Sequence, residues 1–162
     1  METIPQKTAI DLPLAPVIAL DLGAKRVGVA VSDALSISIS RLDALPRTNW
    51  KQLLQSVVDL VRRFDAQTLV IGLPLRLNGS TGEAAREVHA IARKFARSIS
   101  VPVYLQDERL SSVEAEQNLR AEGHEPGKVS ALVDSEAAAV ILRDFLVSSQ
   151  ERILVTSVKQ PL

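Results

Sequence analysis

Asp21, Glu108 and Asp134 carry the acids whose surroundings could do chemistry, because each stands where an ordered run meets a loop. Asp21 closes the apolar run "VIAL" before a turn through Gly23, and Glu108 follows "VPVYLQ" with Asp107 between. Asp134 opens "DSEAAAVILRDFL", with Ala137, Ala138, Ile141, Leu142 and Phe145 at helical spacing behind it, which turns it toward the interior. Carboxylates held out by strand and helix ends of one sheet can converge on one point. A hard divalent ion such as magnesium takes oxygen ligands in octahedral array and keeps water and substrate phosphate among them. Two such ions about 3.5–4 Å apart can activate a water and stabilise the leaving oxygen of a phosphodiester.

Each acid also has a plain structural reading. Asp before Gly at a strand end is turn chemistry, Asp134 suits a helix N-cap, and Glu108 can pair with its neighbour Arg109. Asp107 and Glu108 point to opposite faces of a strand, and the residues alone leave that choice open. Asp33, at the end of the second apolar run "VGVAVS", looks like a twin of Asp21. It lies at the far end of an antiparallel neighbour, so it reads as a turn or structural residue.

Other residues suit a phosphate ligand. Gly23 and Gly28 permit close backbone approach, Lys25 and Arg26 can meet a phosphate, and the Asn78-Gly79 turn offers backbone donors before a helix. Asn78-Gly79 also reads as a simple turn, and Ser80 and Ser111 as simple caps. His89 and His124 have no partner at ligand spacing and read as surface or half-buried residues.

The 162 residues, 46% hydrophobic, suffice for one core and are short for two domains of typical size. The absence of cysteine excludes thiolate catalysis, Cys-based metal sites and disulfides. Lys plus Arg equals Asp plus Glu at 19 each, which argues against holding long nucleic acid by bulk charge but leaves a local basic patch open. Aromatics at 3% are too few for a base-stacking platform, so a nucleic acid partner would be held by its phosphates. No stretch has signal-peptide or membrane-span character, and the expected location is cytoplasmic, with no membrane partner.

The elements that must position these residues follow from apolar rhythm. Residues 1–15 read as a flexible N-terminal tail, 16–148 as the folded domain, and 149–162 as a C-terminal tail. "VIAL" and "VGVAVS" are joined so closely that they must be antiparallel neighbours, and "SISISRLDAL" supplies a third strand from Ile37, Ile39 and Leu42. Helix and strand then alternate. A helix from Trp50 is capped by Thr48 or Asn49, and "TLVIGLP" is a strand buried on both faces. Ser80 and Glu83 form a capping-box pattern before the next helix, "VPVYLQ" is the next strand, and Ser111 with Glu114 opens a third helix ending at Gly123. After the loop "GHEPG" comes the helix from Asp134. The order is βββαβαβαα, an α/β mixed sheet with sites at the carboxyl ends of its parallel strands. Ile153 to Val158 reads as a docked tail or, alternatively, an added edge strand.

Four segments, "DLGAKRVGVAVSD", "GLPLRLNGSTG", "QDERLSSVEAE" and "VDSEAAAVIL", together resemble the YqgF (RuvX-type) family of ribonuclease-H-like nucleases, described as Holliday-junction-resolvase-like or as pre-16S rRNA nucleases. The similarity runs from about Val17 to Leu146, in the family's order. It implies a ribonuclease H-like fold with a five-stranded mixed sheet flanked by helices. It also implies that Asp21, Glu108 and Asp134 are the catalytic metal ligands, for Mg2+ or Mn2+, which favours Glu108 over Asp107. Lys25, Arg26 and Arg109 match the family's basic positions, and these with Asn78 are the expected substrate-binding residues. The implied activity is hydrolysis of phosphodiester bonds in structured nucleic acid during ribosome biogenesis, with pre-rRNA in a ribosome precursor as partner and a monomer or weak homodimer as the working form. Resolution of branched DNA and non-catalytic RNA binding in ribosome assembly are the alternatives.

Overall fold

The computed structural model describes residues 14–74, 82–107, 121, 126–147 and 152–155, and over 126–134 it describes the backbone alone. Six strands form one sheet in the order β3-β2-β1-β4-β5-β6. They are β1 (Val17–Leu22), β2 (Arg26–Ser32), β3 (Ile39–Pro46), β4 (Thr68–Leu73), β5 (Val103–Asp107) and β6 (Arg152–Val155). The helices are α1 (Trp50–Arg63), α2 (Glu83–Ser98) and α3 (Pro126–Val147). β1, β2 and β3 pair antiparallel, β1, β4 and β5 pair parallel, and β6 returns antiparallel on β5. The first five strands have the ribonuclease H-like arrangement that the sequence resemblance implies.

The central strands are buried on both faces because helices cover both. Ile18 and Leu20 on β1, with Leu69, Ile71 and Leu73 on β4, join Leu53 and Val57 of α1 and Val88, Ala92 and Phe95 of α2 in one cluster. Val17 and Ala19 alternate to the other face, where they meet Val70 and Ala138, Ile141, Leu142 and Phe145 of α3. The continuous apolar runs are therefore two-sided strands, as their lack of polar alternation predicts. Phe95 and Phe145 are fully buried, one in each cluster, and each contributes about 2–3 kcal/mol of apolar burial. Trp50 meets Phe95 edge-on, with ring centroids 4.8 Å apart, and so locks α1 to α2. Asn49 caps α1 by accepting from the Gln52 N–H at 2.9 Å.

Several boundaries differ from the sequence reading. β3 begins at Ile39, and Ile37 stands 79% exposed in the β2–β3 loop, because Asp33 folds that loop. Its Oδ1 accepts from the N–H groups of Ile37 at 2.7 Å and Ser38 at 3.4 Å. α2 starts at Glu83 behind Gly82 as N-cap, without a side-chain cap bond, so Glu83 stands at the first helical position and the capping box is not formed.

α3 begins at Pro126, inside the stretch read as a loop, so Asp134 lies within the helix and does not open it. Proline suits a helix's first turn, where its missing N–H has no intrahelical partner to lose. The sheet has six strands instead of five because Arg152–Val155 pairs with β5. Arg152 pins that strand: its Nε and Nη2 donate to the Phe145 carbonyl at 3.1 and 2.8 Å, and its guanidinium lies over the Phe145 ring. Of the third helix, expected from Ser111 to Gly123, only Ala121 is among the described residues, and it is helical.

Candidate active site

The parallel strands β1, β4 and β5 end on the same edge, and Asp21 is one residue from the end of β1. Strand alternation gives Asp21 the parity of Val17 and Ala19, so it belongs to the face that α3 crosses. It is half-buried there. Its partner on β2 is Gly28. On β4, the register Leu20 to Ile71 carries on to Gly72, which itself pairs with Gln106 of β5. Neither neighbouring strand therefore sets a side chain against the Asp21 carboxylate on this face. The period-two pattern that makes β1 a core strand up to Leu20 delivers an acid near its end, between two glycine positions.

The turn after Asp21 is tight. The Gly23 N–H donates to the Asp21 carbonyl at 3.1 Å, and the chain reverses into β2 with Lys25 and Arg26 exposed at its start. Both cations thus stand at the same end of the sheet as Asp21. Arg47, just past β3, was not singled out from the sequence; it ties this turn down from beside it. Its backbone N–H donates to the Lys25 carbonyl at 3.0 Å and its Nη1 to the Gly23 carbonyl at 2.8 Å, while its Nη2 pairs with Glu87 of α2. Nothing in the run "ALPRTNW" marks this arginine, since all its partners are distant in sequence.

Asp107, the alternative to Glu108, ends β5 with the parity of Val103 and Leu105. It therefore belongs to the α1/α2 face, opposite Asp21, and the two are not brought together. Gln106, fully buried, has the opposite parity and lies across Gly72 from Asp21. Glu108, Arg109 and Asn78 lie outside the described residues. Position 134 is on α3, and the helical phase aligns it with Ala138, Ile141 and Phe145, the stripe that packs on the sheet.

The two residues after Asp134 are latched to β3. Ser135 Oγ donates to the Leu42 carbonyl at 2.6 Å, and Glu136, almost fully buried, pairs with Arg41 Nη1 at 2.8 Å. Among the described residues no group of three acids or histidines comes together, and of the expected ligands only Asp21 has a described side chain. The donor chemistry fits a hard cation: a carboxylate at a strand end, flanked by glycine on each neighbouring strand.

The far end of the sheet is different in kind. A groove of about 340 Å³ opens there between the β2–β3 loop and α3, lined by Ile37, Ile39, Arg143, Leu146 and Val147 together with Ser36. It has no carboxylate. Asp33 lies at this end, where the N–H of Ile37 above all, with that of Ser38, holds its carboxyl below the usual value against a smaller opposing effect of burial. It is a loop-folding residue, as its position on the antiparallel strand implies. His89 is half-buried on α2, and His124 lies outside the described residues.

Comparison with known proteins places this architecture in a family. The family described as "RuvX: Holliday junction resolvase" matches residues 15–148, nearly all of the sheet and its helices, and the chain belongs to it. It is a nuclease, a hydrolase of phosphodiester bonds. Curated relatives carry the name "Putative pre-16S rRNA nuclease". The one from Syntrophus aciditrophicus is 38% identical over 138 residues, 85% of this chain and 92% of its own length. That from Anaeromyxobacter sp. is 40% identical over 129 residues, 80% of this chain and 94% of its own. Among solved structures, "T. thermophilus RuvC in complex with Holliday junction substrate" aligns with TM-score 0.49 and 16% identity, over 85% of this chain and 98% of that chain.

Proposed function

We propose that the protein is a divalent-metal-dependent nuclease that processes precursor 16S rRNA within a ribosome precursor in the cytoplasm, with Asp21, Glu108 and Asp134 holding Mg2+ or Mn2+. The observation that carries the reading is the setting of Asp21: the acid ends a parallel strand, on the face that α3 crosses, between two glycines. Glu108 enters through the family resemblance; its alternative, Asp107, has the parity of Val103 and Leu105 and so belongs to the face opposite Asp21. A divalent ion held by these carboxylates would supply Lewis-acid polarisation of the scissile phosphate and would lower the pKa of a water so that it can lose a proton and attack. The chain's own residues do the rest. Lys25 and Arg26 hold the substrate backbone at the mouth of the site, with Arg109 and Asn78 as further contacts. Asp21, held by β1 on a rigid strand end, fixes where the scissile phosphate must lie.

The names of the relatives favour RNA, and the family's description supports a second reading, resolution of branched DNA. The test is cleavage of a 5′-extended 16S precursor and of a four-way DNA junction, side by side, in Mg2+ and in chelator. The expected outcome is metal-dependent cleavage of the precursor RNA, lost by at least about a thousandfold in Asp21→Asn, on the scale of removing a metal ligand's charge from a phosphoryl site. Equal cleavage by wild type and Asp21→Asn would sink the site. Tight RNA binding that persists in chelator, without cleavage, would instead favour a non-catalytic assembly factor.

A further inference from the structure

We propose that Arg47 is a positioning residue for this site: its planar guanidinium holds the turn after Asp21 in the shape that lets Asp21 and the Lys25–Arg26 pair face one phosphodiester. The inference rests on the reading of those three residues as the site. Three bonds from one residue meet on that turn and its surroundings. The Arg47 backbone N–H reaches the Lys25 carbonyl and its Nη1 the Gly23 carbonyl, so both sides of the tip at Ala24 are held from the same point. Its Nη2 reaches Glu87 on α2, which the aromatic pair Trp50 and Phe95 fixes to α1. The turn is thereby tied to the helical layer as well as to β3.

The geometry explains why the residue is an arginine. The two side-chain bonds diverge from one rigid plane toward acceptors on different elements, a fork that a lysine ammonium on a flexible stem does not supply. The guanidinium is only about one-fifth exposed and already occupied by a carbonyl and a carboxylate, so it acts on substrate through the turn and not by direct contact. A positioned turn matters because displacement of about 1 Å at a reacting centre costs on the order of a hundredfold in rate.

The test compares Arg47→Ala, Arg47→Lys and Glu87→Ala in the full chain. For Arg47→Ala, kcat is expected to fall about 10- to 100-fold and KM to rise by a smaller factor, because the turn carries Lys25 and Arg26, while the salt dependence of KM is kept because no substrate-facing charge is lost. Arg47→Lys should recover less than half of that loss on a logarithmic scale. Glu87, 61% exposed, can be replaced without threat to folding; its loss should lower kcat by a smaller factor and be non-additive with Arg47→Ala.

A second readout does not depend on activity. Amide hydrogen exchange at residues 23–26 should quicken about tenfold in Arg47→Ala, the factor that one hydrogen bond from a charged donor is worth, with exchange in β4 unchanged. Full rescue by lysine, an effect confined to KM and its salt slope, additive Glu87→Ala and Arg47→Ala effects, or unchanged exchange in the turn would each overturn the proposal. Loss of the function reading is seen separately: wild type inactive in metal, or Asp21→Asn as active as wild type, refutes the site whatever the exchange at the turn shows.

Discussion

Asp21 is defined as much by what its neighbours lack as by its own carboxylate. Gly28 on one side and Gly72 on the other mean that neither adjacent strand sets a side chain beside it, although both glycines stand within strands, where the residue weakens pairing. Replacing Gly72 by valine would improve strand propensity and put two methyl groups against the carboxylate. The expected result is a protein that still folds, by circular dichroism, but loses at least tenfold in nuclease activity, roughly the cost of a misplaced reacting group. Activity within twofold of wild type would show that the gap beside Asp21 has no bearing on the reaction. Asp33 illustrates the opposite case, an acid whose surroundings consume it. Because backbone N–H groups stabilise its ionised form in the folded chain, its contribution to stability is complete above its unfolded value and is lost as pH falls through the lowered folded one. Asp33→Ala should therefore lower the urea midpoint at pH 7, by an amount constant down to about pH 5 and shrinking below about pH 4. A difference that grew on acidification would contradict the assignment.

At the scale of elements, α3 is the part whose placement decides the site. Its contacts with the sheet include Ala138 and Ala139, both buried, and small residues let a helix axis lie close to the strands. Close approach alone leaves the helix free to slide along its axis. The bonds of Ser135 to Leu42 and of Glu136 to Arg41 prevent that, since both join consecutive residues of β3 to consecutive residues of the helix. Arg41→Ala leaves a carboxylate that is almost fully buried without this partner, at a cost of about 2 kcal/mol. The measurement is a denaturant midpoint, with Arg41→Ala and Glu136→Gln compared. The arginine variant should be the less stable, because the amide buries no charge. If Arg41→Ala is as stable as wild type, the pair is not what registers α3 on the sheet.

At the scale of the whole molecule, the sheet joins two cores that, among the described residues, share no helix, α1 and α2 on one face and α3 on the other. β6 closes the β5 side through Arg152, which joins the last strand to the end of α3 by way of Phe145. Arg152→Ala should release that edge: amide exchange along β5 and β6 rises while β1 and β4 keep global protection. Uniform loss of protection would mean that the sheet opens as one unit and β6 is no separate edge. Among the described residues no helix is long and apolar enough to cross a membrane.

The sequence by itself determined the two-sided strands, the start of α1 with a cap at Thr48 or Asn49, the helical face from Ala137 to Phe145 and the strand-end position of Asp21, because period, capping and turn chemistry are local. It also carried the family, through short motifs in a set order. Tertiary structure alone decided the rest. Where α3 begins, whether Arg152–Val155 joins the sheet, that Gly72 stands beside Asp21 while Asp107 faces away, and that Arg47 grips the turn all depend on residues far apart in the chain. Register and face are set by which surfaces pack together, and no local pattern encodes that choice. Asp21 and Asp33 show the difference plainly: two acids, each at the end of an apolar strand, acquire unlike surroundings only when antiparallel pairing sends them to opposite ends of one sheet.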